Sequence, residues 1–304
     1  YGRRDKDPIA PLRGRTVAGA NPAYLREHEA LLYLALKQRP EGINAVRSLA
    51  TLQQRGNRLS LMAAAQLSAL GDFEGAKSLL GSDDPTSKRA RMMLDAKRVL
   101  PGAINKPAAG IGALCARIAN DLYQETASPA ALSFVRLAQF ALPENESVSV
   151  SLVQILARSG QEKAALDHMG TLPDNGLFQD SLPDLRIALL DRTGDARGAL
   201  DLARAEAGKE GSATQLARVG DLLMRGGKAQ DAVDLFRAAI EKSGGLETPE
   251  TRSWPLWVSY GNALDVAGRW DEAKKALKTA VQLAPDQPTA LNHLGYAMLE
   301  RRDD

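Results

Sequence analysis

One interval governs the chain: residues of the same kind return about every 34 positions. Units open at Gly112, Glu146, Asp180, Ala213, Trp254 and Pro288, so successive spacings are 34, 34, 33, 41 and 34. Inside four of these units a small pair recurs near the middle, as Ser159-Gly160, Thr193-Gly194, Gly226-Gly227 and Ala267-Gly268. A single small residue follows it, as Ala131, Ala165, Ala199, Ala232 and Ala273. A fixed period of this length is the mark of a stacked repeat protein, in which one unit cannot bury its apolar face alone and its neighbour covers it. Length therefore counts repeats here, whereas in a globular chain 304 residues would suggest two domains.

The clearest unit is WVSYGNALDVAGRWDEAKKALKTAVQLAP, from Trp257 to Pro285. Trp257, Tyr260, Gly261, Leu264, Ala273, Leu277 and Pro285 fill, in order, the slots of the pattern W-x2-L-G-x2-Y…A-x3-F…P. Small side chains at Gly261 and Ala273 let two antiparallel helices cross closely, while Trp257, Leu264, Leu277 and Ala280 fill the space between them. Pro285 stops the second helix. On these residues the segment resembles a tetratricopeptide repeat (TPR). The resemblance implies an all-α, right-handed solenoid of antiparallel helix pairs. A further unit opens at Pro288 with Leu291, Leu294, Gly295 and Met298 in first-helix slots and breaks off at Asp304. A longer array is expected, with Leu291, Leu294 and Met298 exposed unless something covers them.

Upstream the period decays. Residues 1–22 are rich in Arg, Gly and Pro without helical spacing and read as an extended arm. Residues 23–111 read as degenerate helical repeats: a pair built on Leu31, Leu32, Ala35 and Leu36, then Ala45, Val46, Leu49 and Leu52; a second pair turning at Leu70-Gly71-Asp72; and one extra helix over roughly 87–100. A Pro/Gly-rich loop at 101–110 marks the boundary with the TPR array of 112–304.

The chemistry expected of an enzyme is missing from the sequence. His28, His168 and His293 lie in separate repeats, and the lone Cys115 takes the slot of Trp257, facing a neighbouring helix, so neither a metal cluster nor a nucleophile with its base is indicated. No phosphate-binding or dinucleotide loop is present, and no cofactor is expected. One cysteine excludes an intramolecular disulfide, and no apolar run nears the roughly 18 residues that span a bilayer. Charge is uneven: 18 Lys+Arg against 10 Asp+Glu over 1–111, 9 against 14 over 112–212, and 12 against 13 over 213–304. The basic charges are scattered singly, and with 5 Phe, 6 Tyr and 3 Trp the chain has few platforms for stacking bases, which argues against nucleic acid.

What the resemblance implies is a surface for a protein or peptide. Groove positions of such arrays lie one after the Trp slot, one after the Gly slot and three further on. The candidates there and beside them are Asn120, Tyr123, Gln154, Arg218, Asp221, Asn262, Asp265, Asn292, His293 and Tyr296. Asn and Gln offer both a donor and an acceptor to an extended main chain. The Lys/Asn clamp of chaperone-binding TPR domains is absent, because its Lys slots hold Ala116 and Val258 and a later Asn slot holds His293. The expectation is a non-enzymatic protein-interaction scaffold without a small-molecule substrate. The phrase LNHLGYAMLERRDD resembles bacterial TPR proteins, which points to envelope assembly, secretion or polysaccharide export and to the periplasm or envelope over the cytoplasm. The chain starts at Tyr1, so the lack of a signal peptide does not fix the compartment. Two alternatives stand beside it: a superhelical nucleic-acid binder, and the substrate-holding part of a longer enzyme.

Overall fold

The computed structural model describes Ile9 and residues 22–52, 56–81, 84–125, 129–208, 210–245 and 251–301; the expected arm at 1–22 lies almost wholly outside them. The described residues are helical, with no strand among them. In chain order the helices are α1 Pro22–Ala35, α2 Arg39–Leu52, α3 Gly56–Ala69, α4 Phe73–Lys77, α5 Pro85–Asp95, α6 Pro107–Glu125, α7 Pro129–Ala141, α8 Glu146–Arg158, α9 Glu162–Met169, α10 Leu182–Arg192, α11 Ala196–Ala207, α12 Ala213–Arg225, α13 Ala229–Lys242, α14 Trp254–Val266, α15 Trp270–Leu283 and α16 Pro288–Arg301. α8, α12, α14 and α16 begin at the repeat starts read from the sequence, and α6 begins five residues early, at Pro107.

The recurring small pair makes one turn four times, and Leu70-Gly71 makes it a fifth. Gly71, Gly160, Gly194, Gly227 and Gly268 all have φ between 71° and 85°, the left-handed region that a side chain resists. The next residue then bonds back across the helix end: Asp72 N to Leu67 O, Gln161 N to Leu156 O, Asp195 N to Leu190 O, Lys228 N to Leu223 O and Arg269 N to Leu264 O, at 2.8–3.0 Å. This is the six-to-one bond of a Schellman end, which satisfies carbonyls the helix leaves open and reverses the chain within a few residues. The second helix must therefore return antiparallel to the first.

The return is close because small residues line it. Ala131, Ala165, Ala199, Ala232 and Ala273 are all buried. A methyl placed on Gly261 would lie 2.7 Å from Leu277 Cγ, and one on Gly220 would lie 2.9 Å from the Phe236 ring, so these glycines mark where helices touch. Leu277 and Phe236 are fully buried there, each contributing about 1.5–3 kcal/mol. Trp257 is also buried, edge-on to Tyr260 with centroids 6.2 Å apart.

Helix contacts divide the chain into two units, 1–182 and 183–304. In the first, one apolar cluster runs from Leu31 and Leu34 through Leu67, Leu94, Leu100 and Ile104 to Ala113 and Leu177. The Pro/Gly-rich loop is thus inside this unit: Ile104 N donates to Gln66 Oε1 at 2.8 Å, and Leu100 N donates to Ser68 Oγ at 3.0 Å. In the second, Ile187, Ala199, Val219, Phe236, Trp257, Leu264, Ala276 and Ala290 form the core. On α16, Leu291 is exposed as expected, but Leu294 and Met298 are only half-exposed. They lie near the buried Ala290 and Ala297 on a helix that packs on α14 and α15.

Candidate functional site

First helices of successive pairs touch one another, α6 with α8, α12 with α14 and α14 with α16. A residue and its counterpart one repeat later therefore come side by side. The candidates fall on these first helices, and the structure ties six of the ten to a residue about one repeat away. Asn120 Nδ2 donates to Ser151 Oγ at 3.3 Å. Arg158 lies 4.8 Å over the Tyr123 ring and donates to the Tyr123 carbonyl at 2.9 Å. Arg218 pairs with Asp184. Asn262 Nδ2 and His293 Nδ1 are 3.2 Å apart. Arg301 holds Asp265 through Oδ1 at 2.8 Å and the carbonyl at 3.2 Å. Arg225 reaches Asp191 at 3.0 Å in the same manner. These links join positions 31 to 36 residues apart, one repeat period. They act as struts between repeats.

Gln154, Asp221, Asn292 and Tyr296 make no such link among the described residues. Asp221 is exposed, yet neighbouring atoms desolvate its carboxyl and raise its pKa against the pull of Arg225 and Arg218. Asn292, Tyr296 and Leu299 fill the three groove slots of α16, and all three are exposed, Tyr296 by 61% and Leu299 by 76%. In α14 the corresponding Val258 is buried, while Asn262 and Asp265 are half-buried and engaged.

Residues 254–297 match the tetratricopeptide repeat family model. The TPR match spans α14, α15 and most of α16, the stretch in which the sequence pattern is fullest. No curated protein sequence matches the chain. Among solved structures the chain is similar to the Cut9–Hcn1 hetero-tetramer of APC/C, at 12% identity over 96% of this chain and 73% of that one, with a TM-score of 0.44. It is similar to yeast Tom70 at 14% identity over 94% and 67%, TM-score 0.46. It is also similar to a tetratricopeptide repeat protein from Parabacteroides merdae, at 11% identity over 91% and 100%, TM-score 0.43.

A second set of polar residues, in the first unit, was not visible in the repeat pattern. Arg117 on α6 is buried between two carboxylates: Nε and one terminal nitrogen donate to Glu27 of α1 at 2.7 and 2.8 Å, and the other nitrogen donates to Asp121. Tyr24 Oη donates to the second oxygen of Asp121 at 2.8 Å, and Arg117 lies 5.5 Å over the Tyr24 ring. Partners 90 and 97 residues apart cannot be found from a 34-residue period. Only the i,i+4 spacing of Arg117 and Asp121 on one helix hinted at it.

Cys115 is half-buried, and burial pushes its thiol pKa up, away from the reactive thiolate. Among the described residues no cluster of His, Cys, Asp or Glu is placed to hold a metal ion. No described helix is long and apolar enough to cross a membrane.

Proposed function

We propose that the chain is a non-enzymatic scaffold that holds a protein or extended peptide along its first helices, with α16 as the contact surface. The observation that carries this is the open face of Asn292, Tyr296 and Leu299 on a TPR helix whose counterparts one repeat earlier, Val258, Asn262 and Asp265 on α14, are buried or engaged. An exposed aromatic and an exposed leucine beside an exposed amide supply the apolar anchor and main-chain hydrogen bonds that interfaces use. Within the second unit Arg218, Asn262, Asp265 and His293 then set the spacing of the row and Asp221 remains available along it; Tyr123 and Gln154 hold the same slots within the first. The resemblance of the C-terminal phrase to bacterial TPR proteins supports envelope assembly, secretion or polysaccharide export as the process.

The test is affinity capture from the native host with the full-length protein and with a variant carrying Asn292→Ala, Tyr296→Ala and Leu299→Ala. A partner lost from the variant, with helical circular dichroism unchanged, is the expected result. Retention of every partner by a folded variant would remove α16 from the site.

A further inference from the structure

The polar network in the first unit lines a cavity of about 700 Å3 between α1, α3 and α6. Its volume lies within the roughly 300–1,000 Å3 typical of small-ligand pockets. One part of the wall is apolar, built from Leu31, Leu59, Met62, Ala113 and Leu114, and the other is polar, with Arg58, His28 and Gln124 beside the network of Tyr24, Glu27, Arg117, Asn120 and Asp121. The two carboxylates are already engaged. Both Glu27 oxygens accept from Arg117, one Asp121 oxygen accepts from Arg117, and the other accepts from Tyr24.

Arg58 is different. Its guanidinium donates to the Ala116 carbonyl at 3.1 Å, and no carboxylate among the described residues lies within ion-pair distance of it. A guanidinium has five N–H donors in a fixed fork that matches a carboxylate. Burial, together with the like charge of Arg117, pushes Arg58 down to about 10 against the pull of Glu27 and Asp121, whose oxygens are hydrogen-bonded elsewhere. Leaving such a guanidinium half-buried with a single carbonyl acceptor among the described residues is costly, and an incoming anion relieves that cost.

We propose that this cavity binds an organic carboxylate borne on an apolar body, with Arg58 taking the carboxylate and Leu31, Leu59, Met62 and Leu114 taking the body. Asn120 commits its amide nitrogen to Ala116 and Ser151, so its carbonyl oxygen and Gln124 are left to meet a donor on the ligand. A cationic ligand is disfavoured, because it would face Arg58 while both carboxylates are occupied. Two sources supply the same chemistry: a free medium-chain acid, or the C-terminal residue of a peptide ending in an apolar side chain.

Calorimetric titration of the full chain separates them, with octanoate against octanamide and a leucine-ended pentapeptide against its C-terminal amide. At least one acid is expected to bind about tenfold or more tightly than its neutral counterpart, the worth of a charge-assisted bond. Octanoate alone binding identifies a free acid, and the peptide alone identifies a chain terminus. Acid and amide binding equally, or neither acid binding, overturns the proposal on the wild-type protein alone. Arg58→Gln is expected to bring the acid down to the amide's affinity without lowering the melting temperature, and Arg58→Lys to keep part of the preference. A purely structural Arg58 gives the reverse, a lower melting temperature with acid binding retained, and that result also overturns it.

Discussion

Gly261 and Gly295 occupy the same slot one period apart, and the structure predicts opposite responses to the same substitution. A Cβ on Gly261 meets Leu277 Cγ at 2.7 Å and Cδ2 at 2.8 Å, with the Leu277 backbone nitrogen at 3.3 Å behind them. Ordinary carbon contacts are about 3.5–4.0 Å, so α14 and α15 must part by nearly 1 Å or Leu277 must leave its rotamer. Overpacking of this kind costs about 1–3 kcal/mol. Replacing a mid-helix glycine by alanine returns about 1 kcal/mol. Gly261→Ala therefore loses up to about 2 kcal/mol net, and Gly261→Leu, with three more carbons against the fully buried Leu277 and Leu264, loses several. A Cβ on Gly295 meets nothing within 4 Å. Gly295→Ala keeps only the propensity term and gains about 0.5–1 kcal/mol. Urea unfolding followed by circular dichroism measures both, with hydrogen exchange of α14–α16 placing the change. Equal signs for the two alanine variants would show that the helix packing around Gly261 is misplaced.

Other substitutions and conditions give separate readings. Gly227→Ala, at φ 71°, strains the turn between α12 and α13 and should lower stability by about 1–2 kcal/mol in the same unfolding assay. A double-mutant cycle on the partly exposed Asp265–Arg301 strut should return no more than about 1 kcal/mol of coupling, weakening in high salt. Burial lowers the pKa of His28 and His168 below 6.5, so the unfolded chain binds more protons below that value. Their contribution is complete above pH 6.5 and is lost as pH falls through 6.5 toward the lowered folded values. Melting temperature should drop over that window, and less so in His28→Asn. Cys115, with its raised pKa, should react slowly with a thiol reagent at neutral pH and speed up on unfolding.

The repeat framework was readable because it depends on residues with a narrow physical job. Gly160, Gly194, Gly227 and Gly268 are where the chain needs a left-handed turn, and Ala165, Ala199, Ala232 and Ala273 are where two helices leave room for a methyl. Both recur at the period, so counting finds them. The struts were half-legible: Asp184 and Arg218 stand 34 apart, and a search of the sequence for opposite charges one period apart would pair them. The individual groove residues were named from slot position alone, which cannot say that Asn262 is occupied by His293 while Asn292 is open. The cavity in the first unit was beyond reach, because Tyr24 and Arg58 come from degenerate repeats and meet Arg117 of the first regular repeat only through tertiary packing.

Whether the α16 face is where a partner sits is tested most directly by photo-crosslinking in the native host, with a benzoylphenylalanine at position 296 and, as a control, at the exposed Lys278 on α15. One dominant crosslinked protein is expected from position 296, and none in common from position 278. The same crosslinks from both positions, or none from 296 while capture still succeeds, would contradict that placement of the partner.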